Sequence, residues 1–181
     1  MEVRKAINTD FAEILDVHKA AFGEKKGPEI AQLVDDLFTD ISASPSLSLV
    51  AVEKGVIVGH ILYTKVTLQG ASQGLSCQIL APLAVLPDVQ GKGIGRKLIE
   101  AGLRELKMGD VQLVFVLGHP GYYPRCGFIP AGELGFEAPY PIPEEHAGAW
   151  MVQELFPGNI GSLKGQVQCC HALNKPEHWR E

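Results

Sequence analysis

Residues 83–95, Leu-Ala-Val-Leu-Pro-Asp-Val-Gln-Gly-Lys-Gly-Ile-Gly, constrain this chain more than any other stretch. An apolar run stops at Pro87, glycines follow at 91, 93 and 95, and a charged, apolar-striped segment runs from Ile94 to Lys107. That order reads strand, tight turn, helix. Glycine admits left-handed backbone, so amide N–H groups in such a turn can point outward. A helix N-terminus adds positive partial charge. Together they seat an anion, a phosphate above all. The plain alternative is a glycine-rich turn without a ligand. Spacing removes two phosphate ligands. A dinucleotide fingerprint needs a glycine three residues after Gly93, where Arg96 stands. A nucleoside-triphosphate loop needs Gly-Lys followed by Ser or Thr, and neither Gly91-Lys92-Gly93 nor Gly95-Arg96-Lys97 supplies it.

The rest of the composition narrows the class. The chain has 181 residues, 46% of them hydrophobic and 20% charged, which suits one domain with a real core. A net charge of −5 without a basic block argues against nucleic-acid binding as the main role. No apolar run is long enough to span a bilayer. The segment Met1-Glu2-Val3-Arg4-Lys5 leads into folded pattern without an apolar signal core, so a cytoplasmic location is expected. Cys77, Cys126, Cys169 and Cys170 form no Cys-x-x-Cys pair, which speaks for reduced thiols and no metal. Cys126, near the proposed site, is the one candidate reactive thiol.

Periodicity predicts the elements. Val3 to Ile7 reads as a strand, and Thr9 or Asp10 as the cap of the next helix, with Glu13 placed for a capping box. Phe11, Ile14, Leu15, Val17, His18 and Phe22 recur at helical spacing. Gly23 to Gly27 reads as a polar, mobile link before a second helix opened by Pro28. Residues 47–53 and 56–68 read as strands joined by Lys54-Gly55. A Gly/Ser/Gln loop, residues 69–76, precedes a fourth strand over 77–86, interrupted by Pro82. Proline donates nothing to a ladder, so Pro82 marks an edge, a bulge or opened pairing. A helix over 94–107 and a buried strand over 111–117 complete a parallel strand–helix–strand unit. A short helical turn near Tyr123 with a strand start by Phe128, an irregular Pro/Gly-rich stretch over 130–143, and strands over 149–155 and 165–170 follow. The apolar C-terminal strands offer an edge to a second copy, a homodimer.

Gln90-x-x-Gly93-x-Gly95 after a strand, and Tyr123-x-x-x-Gly127-Phe128 after the next buried strand, resemble two signatures of the GNAT superfamily of N-acetyltransferases. Residues 80–85, 122–128 and 139–143 are also similar to a bacterial branch of YhbS-like N-acetyltransferases. The resemblance spans about residues 3–155. It implies an α/β fold, with a mixed, mostly antiparallel sheet whose fourth and fifth strands splay apart and helices on both faces. One domain over 1–181 is expected, with an N-acetyltransferase core over about 3–155 and a C-terminal extension over about 156–181.

The resemblance implies acetyl-CoA as cosubstrate, with its pantetheine arm on Leu83, Ala84 and Val85. Its pyrophosphate would sit on Gln90, Gly91, Lys92, Gly93, Ile94, Gly95 and Arg96, chiefly on their amides, with Lys97 as a further charge. The implied reaction moves an acetyl group to a primary amine of a small molecule, peptide or protein. A backbone N–H near Val85 would hold the developing oxyanion. Tyr123 would protonate the leaving sulfur as general acid. His119, at the end of the central strand, is the better-placed candidate base; His60, inside an apolar strand, and Glu24, in the link, are weaker. The competing reading is a non-catalytic module that binds CoA or an acyl-CoA for regulation.

Overall fold

The computed structural model describes residues 1–72 and 74–180. Among these residues nine strands form the sheet system: β1 (Glu2–Lys5), β2 (Leu47–Glu53), β3 (Val56–Leu68), β4 (Cys77–Val85), β5 (Leu113–Leu117), β6 (Ile129–Pro130), β7 (Phe136–Glu137), β8 (Trp150–Glu154) and β9 (Gly165–Cys169). The main path runs β1-β2-β3-β4-β5-β8-β6, and β9 pairs with both β3 and β7. Within that path only β4 and β5 are parallel, and every other pair is antiparallel. The crossover between them is helix α2 (Ile94–Met108). The crossover is the one the strand–helix–strand reading predicts, and the mixed sheet around it is the α/β fold that the resemblance implies.

Helices cover both faces because the strands are apolar on both. Ile94, Leu98, Ile99, Leu103 and Leu106 of α2 pack with Ile61, Tyr63, Leu80, Val114 and Val116. At Gly102 a Cβ would collide with the Tyr63 ring, so glycine lets α2 lie close to β3. The opposite face receives α1 (Phe11–Thr39), whose Ile14, Val17 and Val34 meet Val50, Ile57 and Ala84.

Two expectations about α1 need correction. The helical stretch breaks at one residue, Gly23 (φ 79°, ψ −178°), and residues 24–27 are helical instead of forming a link. The halves fold back on each other: Phe11 and Phe38 rings lie 5.5 Å apart, and a Cβ on buried Gly27 would sit 2.5 Å from the Lys19 carbonyl. The capping box expected from Asp10 and Glu13 does not form either. Asp10 accepts from Arg4 at 2.7 and 3.0 Å and from the Ile7 N–H at 2.8 Å, while Glu13 accepts from the Ile57 N–H at 2.8 Å.

Pro82 produces a bulge. Leu80 pairs with Tyr63 and Leu83 with Ile61, so Ala81 and Pro82 together face Leu62. On its other side β4 pairs with β5 only from Cys77↔Leu113 to Leu80↔Val116. Residues 81–85 continue without a β5 partner, and this is the splay.

Residues beyond 155 join the same core. Trp179 packs edge-on against Trp150 at 5.6 Å, and Cys170, Ala172 and Leu173 are buried in that cluster. In the stretch expected to be irregular, β7 pairs in parallel with β9, and β6 pairs with β8. Thus β8 lies between β5 and β6, and β9 between β3 and β7, so the C-terminal strands meet neighbours of their own chain on both sides. The four cysteines are free.

Candidate active site

The glycine turn has the backbone that an anion seat needs. Gly91 (φ 79°) and Gly93 (φ 84°) adopt left-handed backbone, and Gly93 caps α2. No side chain satisfies the first N–H groups of α2 at the cap, so they stay available to a ligand. Gly95 packs under the Tyr122 hydroxyl; a Cβ there would overlap it. These residues open on a cleft of about 480 Å³ lined by Leu83, Val85, Gln90, Ile94, Arg96 and Tyr122, among others.

The upper half of β4 supplies the second surface. The Leu86 N–H donates to the Val58 carbonyl at 2.8 Å. Antiparallel pairs alternate between bonded and non-bonded, so the next pair, Gly59↔Val85, is non-bonded, as is Ile61↔Leu83. The N–H and C=O groups of Leu83 and Val85 therefore face away from β3, toward the gap that β5 has left. The Gln90 Nε2 already uses one of them, donating to the Val85 carbonyl at 2.9 Å. Backbone groups open for strand-like pairing, next to glycine amides at a helix N-terminus, fit an extended amide-bearing arm joined to a phosphate.

A family profile described as an acetyltransferase (GNAT) domain matches residues 2–131. The chain belongs to this family. It is 48% identical over 162 residues to the uncharacterised N-acetyltransferase YjhQ of Escherichia coli (strain K12), covering 89% of this chain and 87% of that protein. It is 31% identical over 146 residues to YhbS of the same organism, covering 80% and 83% of the two chains. The crystal structure of Escherichia coli YhbS in complex with CoA superposes with a TM-score of 0.84 at 28% identity, covering 96% of this chain and 92% of that one. A GNAT acetyltransferase from Brucella melitensis in complex with acetyl-CoA matches with a TM-score of 0.74 at 32% identity, covering 95% and 97%.

The cleft gathers most of the residues expected from the sequence and leaves some aside. Leu83, Val85, Gln90, Gly91, Gly93, Ile94, Gly95 and Arg96 line the cleft. Ala84 is buried toward α1 instead. Lys92 and Lys97 are exposed and lie off the lining. Arg96 holds Glu100 at 2.9 Å on the surface. Of the tyrosine pair, Tyr122 reaches the cleft wall, while Tyr123 packs on Phe128 (5.9 Å between rings) and against Gly118. Burial raises both phenol pKa values, Tyr123 the more, and keeps them protonated. Cys126 lines the cleft, but burial raises its thiol pKa, which disfavours the nucleophilic thiolate. His119 is exposed, and its Nδ1 accepts the Gly121 N–H at 2.9 Å. In the neutral ring that bond leaves the proton on Nε2 and no spare lone pair for a base. Glu24 is exposed at the start of the second half of α1.

Sequence reasoning missed one group. His18 and His60 are both fully buried, with His18 Nε2 2.8 Å from His60 Nδ1 and Ser48 Oγ 2.8 Å from His60 Nε2. His18 had counted as one position of an apolar stripe, and its partner lies 42 residues away, where no local pattern reaches.

Proposed function

We propose that this GNAT protein binds acetyl-CoA along residues 83–96 and transfers the acetyl group to a primary amine by direct attack in a ternary complex. The observation that carries this reading is the outward-facing backbone of Leu83 and Val85 beside the glycine-capped start of α2. The CoA and acetyl-CoA complexes of the two similar proteins support it. The bound coenzyme supplies a thioester. Gln90 to Arg96 hold the pyrophosphate through their amides, and Leu83 and Val85 pair with the arm. The Val85 N–H donates to the thioester oxygen as negative charge develops there. Tyr123 gives its proton to the departing sulfur. Tyr122 is the second reading for that acid, because its ring stands on the cleft wall.

Amine-dependent release of free thiol from acetyl-CoA tests the reaction. Coenzyme binding without such release across an amine library would favour the non-catalytic module. Tyr123→Phe is expected to lower kcat about 100-fold with the acetyl-CoA dissociation constant nearly unchanged. If Tyr122→Phe does this and Tyr123→Phe does not, the acid is Tyr122.

A further inference from the structure

His18, on the first half of α1, and His60, in the middle of β3, have no exposed surface. Their rings meet edge-on at 5.1 Å, Nε2 of His18 to Nδ1 of His60 at 2.8 Å. The chain continues from His60 Nε2 to the Ser48 hydroxyl, which is half-buried on β2. It therefore runs from the interior to the border of solvent. The other nitrogen of His18, Nδ1, is buried without a hydrogen-bond partner. An orphaned buried polar atom costs about 1–3 kcal/mol, so a proton or a donor that reaches His18 Nδ1 is favoured there.

One proton lies between the two rings, so the chain has two polarities. In one, His18 donates to His60, His60 donates to Ser48, and His18 Nδ1 is a bare lone pair. In the other every bond reverses and His18 Nδ1 carries hydrogen. Moving from the first to the second takes up a proton at Nδ1 and gives one out at Ser48. Such a conduit must not trap charge. Burial, the largest influence on both rings, lowers both pKa values and keeps the rings neutral. The proximity of the two rings adds to this at His60. The one opposing charge felt there is Asp10, itself paired with Arg4.

The place is also right. His60 stands directly opposite Ala84. The flanking Leu83 and Val85 line the coenzyme cleft on the other face of the same strand. Around the pair, ring contacts run Phe11–Phe38–His60–His18–Phe22. The three phenylalanines are 36–37% exposed, and Phe22 stacks on His18 just before the Gly23 break.

We propose that His18, His60 and Ser48 are a proton relay for the acceptor amine, with His18 Nδ1 as the first acceptor and the Ser48 hydroxyl as the outlet. The proposal rests on the acetyl-transfer reading above. A primary ammonium loses two protons on becoming an amide as the C–N bond forms and the C–S bond breaks. One proton ends on the coenzyme thiol. The other enters at His18 Nδ1 as a proton leaves Ser48 to water; once the product departs, water entering beside Nδ1 takes that hydrogen and water at Ser48 returns one, which restores the first polarity. The amine reaches Nδ1 when Phe22 moves off the His18 ring.

The test uses 2-phenylethylamine, whose flat apolar body matches the phenylalanine rim, with n-butylamine and spermidine alongside. Thiol release at saturating acetyl-CoA is followed from about pH 6.5 to 10 for the wild type, His18→Phe, His60→Gln and Ser48→Ala. With the relay intact, kcat/KM for the amine is expected to stay nearly flat above pH 7. In both histidine variants it should fall about 100-fold at pH 7 and climb tenfold per pH unit toward the amine pKa. Ser48→Ala should fall between, because water can take the place of the hydroxyl. The melting-temperature shift given by CoA reports folding and coenzyme binding separately and is expected to persist. A uniform loss at every pH, or no loss, overturns the relay and leaves acetyl transfer standing. Absence of thiol release with every amine in the wild type overturns both readings.

Discussion

Gly95 shows how one missing Cβ shapes the site. The residue sits at the second position of α2 with its backbone beneath the Tyr122 hydroxyl. Gly91 and Gly93 are needed for their left-handed backbone, but Gly95 is needed for close approach. In Gly95→Ala the added methyl must push Tyr122 out of the cleft wall. Acetyl-CoA affinity is then expected to drop about tenfold, roughly 1.4 kcal/mol, while alanine, the best helix former, leaves α2 itself intact. Titration calorimetry with CoA, beside a melting curve, separates these effects. Unchanged affinity would mean that Tyr122 yields freely and plays no part in shaping the cleft. The spacing of the three glycines was legible in the sequence, but the reason for the third was not. It depends on a tyrosine 27 positions away, held near by the crossover.

At the scale of the element, α1 is where local reading and fold diverge. Gly23, Gly27 and Pro28 look like a five-residue break, since each weakens a helix interior. The fold uses them differently. Gly23 alone makes the turn. Glu24, Lys25 and Lys26 are good helix formers and begin the second half. Pro28 is the fifth residue after the break, so it lies inside the second half and removes one i→i−4 bond, to Glu24. Gly27 is buried because the first half crosses it at Lys19. Gly27→Ala would therefore press a methyl group onto backbone that cannot rotate aside. We expect a loss of about 1–3 kcal/mol, typical of overpacking, read as a lower urea midpoint with an unchanged slope. Gly23→Ala places its methyl in open space and pays only for the backbone, whose positive φ with ψ near 180° is essentially a glycine conformation, about 1–3 kcal/mol. Strands β2, β3, β4, β5 and β8 were legible within one or two residues because long apolar runs outweigh local noise. The two-residue strand β7 was not, since its pairing is decided by its partner β9 and not by its own residues, and of β6 only the start after the Tyr123 turn was legible.

The whole molecule must fold around a buried histidine pair, and that makes its stability depend on pH. Burial lowers the His18 pKa from the ordinary 6.5 to about 4, and His60 also lies well below its ordinary value. Above about pH 6.5 both rings are neutral whether the chain is folded or not, so they give no slope. As the pH falls from 6.5 toward 4, the unfolded chain binds a proton at each histidine and the folded chain does not. Stability then declines by up to about 1.4 kcal/mol per pH unit for each ring. Near pH 4 the folded state begins to protonate His18, and the contribution of that ring levels off. The carboxylates act in a separate window. Hydrogen bonds hold the pKa values of Asp10 and Asp40 below the usual carboxylate range, so their stabilisation is present above about pH 4 and lost below it. Urea midpoints measured from about pH 8 to 4.5 should thus be level at first and bend downward near 6.5, well before any carboxylate titrates. His60→Gln keeps a polar group in the chain but removes one titrating ring, and is expected to lower the slope below the bend by up to about 1.4 kcal/mol per pH unit, leaving His18 and half-buried His178, whose pKa burial also lowers. A profile that stays level to pH 5 would place the first proton uptake on carboxylates and show that the pair opens to solvent at little cost.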